Sequence, residues 1–268
     1  MDMPRLGQGT WNMGDSAAQR KEELAALRAG IELGMTLIDT AEMYGDGRSE
    51  SLVGEAIAGM RDKIFLVAKV LPSNASRNGV ARSCEASLKR LKTDRVELYL
   101  LHWTSSEPPE ETVRGFEDLL AAGKIRSWGV SNLDLSEMKQ LVALPGGKAC
   151  ATNQLLYNLS RRGIEFDLLP WSQACGMPVM AYSPVEQGRL LGHRVLKQVA
   201  QRLGATPAQV ALAWVLRQAG LVAIPKAGTV AHVKENREAL DLKLDPQGLA
   251  ELERAFPPPT KARPLEML

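Results

Sequence analysis

Residues 37–44 read LIDTAEMY: Leu37 and Ile38 run straight into Asp39, and polar or titratable side chains follow through Glu42 to Tyr44. This is the pattern of a buried strand emptying into a loop. A lone aspartate in such a place is usually a helix cap or a turn former. Here it has company, because apolar runs downstream end in the same way at Lys69, at His102 and Trp103, at Ser131 and Asn132, at Asn153 and Gln154, at Tyr182 and Ser183, and at Lys226. Polar side chains collected at the carboxyl ends of strands are the active-site pattern of an α/β barrel.

Strand and helix patterns alternate outward from this stretch. Upstream, Leu6 to Trp11 (LGQGTW) reads as a short strand in which Gly7 and Gly9 permit close backbone approach, and Arg20 to Gly34 repeats Leu24, Leu27, Ile31 and Leu33 at helical spacing before the strand Thr36 to Asp39. Downstream, helical spacing over Ser49 to Met60, Asn78 to Leu91, Glu110 to Ala122 and Ser136 to Leu144 is interleaved with strand-like Lys63 to Lys69, Val96 to His102, Ile125 to Val130 and Cys150 to Tyr157. Ile164 to Ala174 predicts a short helix interrupted by Pro170. Pro178 to Tyr182 is a seventh strand, Leu196 to Leu203 and Pro207 to Ala219 are helical, and Leu221 to Pro225 is the eighth strand. Eight strands separated by helices, with no linker or break in composition, predict one domain over residues 1–268: a closed (β/α)8 barrel with its site at the carboxyl ends of the strands. The tail, Pro257 to Leu268, lacks periodicity and is expected on the surface or over the barrel mouth, within reach of substrate.

Composition excludes several function classes. Hydrophobic residues make up 45% and charged residues 24%, ordinary for a soluble protein, and no apolar run approaches a membrane span. Without an apolar signal segment behind Met1, a cytoplasmic location is expected. Three cysteines far apart point to reduced thiols, and His102, His193 and His232 are not at metal-ligand spacing, so no metal is expected. A net charge of +2 with interspersed basic residues offers no nucleic-acid stripe.

The chain has no GxGxxG, no Walker lysine loop and no GxSxG elbow, which argues against a Rossmann dehydrogenase, a P-loop enzyme and an α/β-hydrolase. Asp39, Tyr44, Lys69 and His102 form a proton-donating set if all four converge on one rim. A phenol is a poor acid near neutrality, with a usual pKa of roughly 10. Lys69 is expected to pull Tyr44 down, Asp39 to hold Lys69 charged, and His102 to donate to a substrate carbonyl. Taken singly, each of the four is more readily a structural residue.

The motifs LGQGTW at 6–11, LIDTAEMYGDG at 37–47, VAKV at 67–70, LYLLHW at 98–103, WGVSN at 128–132, TNQLLYN at 152–158, AYSP at 181–184 and IPKA at 224–227 resemble those of aldo-keto reductases from end to end. The resemblance implies an eight-stranded barrel that binds NADPH extended, without a Rossmann domain, and Asp39, Tyr44, Lys69 and His102 as the catalytic four. It implies that Ser131, Asn132 and Gln154 hold the nicotinamide carboxamide and that Tyr182 stacks on the ring. By the same likeness Ser183, Pro184, Gly188 and Leu190 wrap the pyrophosphate, Lys226 pairs with the phosphate that separates NADP from NAD, and His232, Glu235 and Asn236 complete the adenosine end. Trp11, Trp103 and Met43 are the implied substrate wall.

Three departures stand out. Ala227 and His232 replace the family's frequent serine and arginine, and losing a planar guanidinium fork removes bidentate phosphate recognition. The five residues before Leu6 are too few for the two strands of the hairpin that usually plugs the barrel floor, so the floor is expected to be open or covered by a side chain. The resemblance is nearest to bacterial members that reduce small aldehydes and ketoaldehydes such as methylglyoxal, and it implies a monomer acting on a small carbonyl compound. Two other readings remain open at this point: a nucleotide-sensing barrel subunit, and a barrel lyase using Lys69 as a Schiff-base amine.

Overall fold

Side chains along a strand alternate between its two faces, so each apolar run has to satisfy two environments at once. In the computed structural model, which describes residues 3–268, Leu37 points into the core of a barrel while Ile38 points outward to a layer of helices. The strands β1 (Gly7–Gly9), β2 (Leu37–Asp39), β3 (Phe65–Val70), β4 (Val96–Leu101), β5 (Ile125–Ser131), β6 (Cys150–Leu156), β7 (Val179–Tyr182) and β8 (Leu221–Ala223) pair in chain order, each parallel to the next. The ring closes where β8 returns to β1: Ala223 N donates to Arg5 O at 2.9 Å and Gly9 N donates to Pro225 O at 3.0 Å. This is the expected (β/α)8 barrel.

Closure depends on β1 having no side chains on its inner face. A Cβ on Gly9 would lie 2.7 Å from the carbonyl oxygen of Ile224, and one on Gly7 would lie 2.4 Å from Cδ2 of Leu37. Gly9→Ala is therefore expected to cost about 1–3 kcal/mol, the usual penalty of overpacking, read as a lower urea midpoint. An unchanged midpoint would mean that the β1–β8 seam has room for a methyl group.

The helices are α1 (Arg20–Glu32), α2 (Arg48–Ala56), α3 (Arg77–Leu91), α4 (Pro109–Ala121), α5 (Leu135–Ala143), α6 (Leu168–Ala174), α7 (Arg194–Arg202), α8 (Pro207–Leu216), α9 (Val230–Glu238) and α10 (Pro246–Ala255). Local chemistry starts several of them: Asp134 with Glu137, and Thr206 with Gln209, form reciprocal capping boxes, the second with Pro207 at the first helical position. Pro170 does not interrupt a helix as predicted. The helix begins at Leu168, capped by the Asp167 carboxylate, so Pro170 falls in its first turn, where an amide has no partner within the helix. α9 and α10 lie beyond the elements predicted above. In α9 only Val233 and Asn236 are buried, too few to print a helical period on the sequence, whereas Asp245 before Pro246 was a readable start for α10.

Leu37, Val67, Leu98, Leu100, Met180, Val222 and Ile224 fill the barrel, and Met3 is buried with them while Phe65 packs against the group. Met3 and Phe65 lie at the amino-terminal ends of the strands, so the floor is covered by side chains, the second of the two expected solutions. An apolar floor leaves the opposite mouth as the place where polar groups meet.

Candidate active site

The chain must turn sharply after β2 to aim Tyr44 back over the barrel. Gly45, Asp46 and Gly47 do this with left-handed backbone at φ 56°, 51° and 85°. Two attachments, one buried and one half-buried, fix the turn. On one side Ser49 Oγ lies 2.8 Å from Thr10 Oγ1 and 3.3 Å from Thr40 Oγ1; on the other, the Glu42 carboxylate accepts from Leu71 N at 2.6 Å and Asn74 Nδ2 at 3.1 Å. The sequence reading did not assign any of these holding residues a role, since polar residues beside a strand end carry no local sign of their partners.

Lys69 is fully buried, and its ammonium meets an acceptor with each of its three hydrogens: Asp39 Oδ1 at 2.6 Å, Thr40 O at 3.0 Å and Tyr44 Oη at 3.1 Å. Burial alone would lower the lysine's pKa, but Asp39 and Tyr44 outweigh it and hold the group above its usual value. Because Tyr44 Oη accepts from Lys69, its own hydrogen is free to point elsewhere. The expected direction for Tyr44 is corrected: burial raises its pKa more than the Lys69 ammonium lowers it, and Asp39 adds to the rise. Tyr44 is a phenol that keeps its proton.

His102 stands beside Tyr44, ring centroids 5.7 Å apart and edge-on, with Trp103 on its other side at 4.9 Å. Burial, helped by the nearby Lys69 ammonium, pushes its pKa down to about 2, so the imidazole is neutral. Nδ1 is buried and has no hydrogen-bond partner among the described residues. The single N–H therefore belongs on Nε2, as a donor.

The polar wall beside this cluster is Ser131, Asn132, Gln154 and Tyr182. Ser131 Oγ donates to Gln154 O at 2.9 Å; Asn132, left-handed at φ 58°, donates to Ser131 Oγ at 3.1 Å and accepts from Tyr182 Oη at 3.0 Å. Gln154 also makes a contact that the sequence does not foretell: its Nε2 donates to Asp39 Oδ2 at 2.7 Å. Ser183 opens a loop that reaches Gly188 through a run of left-handed residues, with Pro184 and Leu190 buried as its anchors. Within it the buried Glu186 carboxylate accepts from Asn158, Arg161 and Arg189. Arg161 also pairs with Glu266 at 2.7 Å, and Leu268 N lies 3.4 Å from Tyr182 Oη, so the tail does cross the mouth.

The remaining predicted positions are more scattered. Lys226 is exposed just past β8, and His232 is exposed in the first turn of α9, whose cap Thr229 accepts from His232 N; Glu235 is half-buried and Asn236 buried. Trp11 and Met43 stand exposed on the segments leaving β1 and β2. A cleft of about 390 Å³ between α5, α6 and residues 263–266 contains none of the four clustered residues. The chemistry belongs to the mouth, where a phenol and a neutral imidazole stand beside a buried, fully engaged ammonium.

A buried ammonium, a protonated phenol and a neutral imidazole on adjoining strand ends agree with a family match that covers nearly all of the barrel. Residues 5–256 match the model of the Aldo/keto reductase family. The chain belongs to the aldo/keto reductase family. It is 55% identical to methylglyoxal reductase YeaE of Escherichia coli (strain K12), over 100% of this chain and 96% of that protein. It is 32% identical to methylglyoxal reductase DkgB of Yersinia pestis, over 93% and 92% of the two chains. Among solved structures, an aldo/keto reductase from Klebsiella pneumoniae in complex with NADP and acetate superposes with a TM-score of 0.97 at 52% identity, covering 99% of this chain and 96% of that one. The residue types at the strand ends were legible in the sequence; the bonds between Gln154 and Asp39 and between Arg161 and Glu266 were not, because their partners are more than a hundred positions apart.

Proposed function

We propose that this aldo/keto reductase reduces small aldehydes and ketoaldehydes of the methylglyoxal type with NADPH, as a cytoplasmic single-domain monomer over residues 1–268 with neither nucleic acid nor membrane as partner. The observation that carries the proposal is the three-way commitment of Lys69 to Asp39, Thr40 and Tyr44. It leaves the Tyr44 proton as the one the cluster can give.

The residues present fit NADPH. Gln154 and Tyr182 offer an amide and an aromatic face at the mouth, the open loop from Ser183 to Gly188 offers backbone amides, and Lys226, exposed and in no ion pair among the described residues, suits a phosphate beside the amino terminus of α9. A crystal structure of the Klebsiella relative in complex with NADPH supports the same cofactor here. When bound, NADPH supplies the hydride. His102 Nε2 donates to the carbonyl oxygen of the substrate and orients it, and Tyr44 passes its proton to that oxygen while Lys69 steadies the phenolate left behind. Trp103 beside His102, with Trp11 and Met43 on the rim, gives an apolar cup for a small substrate.

A pH dependence follows from the direction of the pKa shifts. His102 stays neutral and Tyr44 protonated across neutrality, so the rate of reduction should be level from about pH 6 to 9 and fall at higher pH as the phenol ionises. The test is NADPH oxidation in the presence of methylglyoxal, with NADH in parallel. No oxidation, with tight NADPH binding, would favour the nucleotide-sensing reading instead. The Schiff-base reading is disfavoured by geometry: an amine whose three hydrogens are all engaged, and whose pKa is raised, has no free lone pair for attack on a carbonyl.

A further inference from the structure

Asp39 carries two buried bonds, one on each carboxylate oxygen. Oδ1 accepts from Lys69 at 2.6 Å, and Oδ2 accepts from Gln154 Nε2 at 2.7 Å. Both residues that meet at Oδ2 are almost sealed from solvent, with Gln154 and Asp39 each at 2% exposure. They come from opposite walls: in the strand order of the closed ring, β6 stands across from β2. The bond therefore spans the barrel interior at the level of the proton-donating cluster, and only a closed barrel can make it.

An ionised carboxylate can only accept. Gln154 must therefore turn its NH2 group toward Asp39, with its second contact on that nitrogen a weak one, Met180 Sδ at 3.9 Å. Rotating the amide to present its oxygen would set two acceptors against each other in a buried place, a costly exchange. The orientation of Gln154 is thus set by Asp39, whatever else the side chain touches. Among the described residues Asp39 has no other side-chain partner on Oδ2, so its plane is set by Gln154 on one side and Lys69 on the other. Ser131 Oγ, bonded to the Gln154 carbonyl at 2.9 Å, steadies the strand end that carries the glutamine.

We propose that Gln154 is a positioning residue for proton donation: by holding Asp39 Oδ2 from the far wall it fixes the carboxylate that places Lys69 and, through Lys69, the Tyr44 hydroxyl. The resemblance implies contact between Gln154 and the cofactor amide; this proposal adds a function directed at the protein's own proton donor, and it rests on the carbonyl-reductase reading for its kinetic consequences. The two roles differ in what they slow. A residue that only holds the cofactor changes NADPH affinity and the placement of the hydride, and leaves the solvent isotope effect and the cofactor-free stability alone. A residue that places the proton donor slows proton transfer itself and changes both.

The test uses the full-length protein with Gln154→Leu, which removes the donor, and the near-isosteric Gln154→Glu, which replaces it by a second carboxyl group. Gln154→Leu is expected to lower kcat at saturating NADPH on the order of 10²-fold, the effect of misplacing a reacting group, with a larger solvent deuterium isotope effect as proton transfer becomes the slower event. In Gln154→Glu two carboxyl groups face each other, with Lys69, Tyr44 and His102 the other titratable groups around them, and one proton shared between the carboxyls restores the bridge. The pKa of that pair is raised in the folded protein, so its stability is present at low pH and lost as pH rises. Without any cofactor, the thermal midpoint of Gln154→Glu relative to wild type should therefore rise between about pH 8 and pH 5.5, and its relative kcat should rise with it. An ionised glutamate still accepts from a cofactor amide, so a holding role alone predicts good activity at pH 8 and no recovery on acidification. That result, or a Gln154→Leu protein altered only in KM for NADPH, overturns the proposal. A wild-type protein inert toward carbonyl compounds overturns the reductase reading alone, since the cofactor-free thermal comparison still decides the Gln154–Asp39 bond.

Discussion

Tyr44→Phe should reduce turnover of NADPH with methylglyoxal by about 10²–10⁴-fold, the range for loss of a positioned general acid, while NADPH affinity stays within a few fold. The expectation follows from the single atom removed. Phenylalanine keeps the ring packed edge-on to His102 and deletes only Oη, which accepts from Lys69 and carries the proton. No other side chain of the cluster can substitute. Lys69 has no uncommitted hydrogen, and the His102 imidazolium pKa, pushed down to about 2, leaves a neutral ring whose one N–H could be given away only by forming an imidazolate. The measurement is kcat at saturating NADPH alongside a fluorescence titration of cofactor. Turnover at the wild-type rate would remove Tyr44 as the acid and leave the arrangement at the barrel mouth without its proposed chemistry.

Lys69→Met combines a loss of activity with a loss of stability. Methionine fills similar volume but leaves Asp39 charged, buried and short of its closest partner, and breaking a buried pair from one side typically costs about 3–5 kcal/mol. For a domain of this size that corresponds to a fall in Tm of roughly 6–20 °C. Activity falls with it, because Tyr44 loses the ammonium that stabilises the departing proton's phenolate. The two effects can be pulled apart with the double variant Lys69→Met, Asp39→Asn. Removing the orphaned charge should return much of the stability and none of the turnover. A single Lys69→Met protein as stable as wild type would show that the pair contributes little, and a catalytically active one would show that Tyr44 needs no ammonium.

The site illustrates how far residue patterns reach. Asp39, Lys69 and His102 are each the last inward-facing residue of an apolar run, and inward or outward placement follows from the two-residue period of a strand, a strictly local property. That period, the helical spacing between the runs and the cap at Thr206 determined the element order and hence the barrel. The same local logic named Ser131, Asn132, Gln154 and Tyr182 as residues of one rim. It misjudged Pro170, because whether a proline breaks a helix depends on where the first turn begins, and it passed over α9, whose few buried positions leave no period to read.

Tertiary structure decided what those residues do to one another. Lys69 meets Asp39 at 2.6 Å because the register pairs Asp39 with Val67, which puts the lysine one inward layer above the carboxylate and lets its long side chain bend back to it. Gln154 reaches Asp39 because the sheet closes, and Leu268 reaches Tyr182 because Arg161 holds Glu266 beside the loop. The direction of the Tyr44 shift belongs to this second class as well. Sequence could show that an ammonium and a phenol would be neighbours, but the free energy of a charge also depends on how much water the surrounding fold removes, and around Tyr44 that removal outweighs the neighbour.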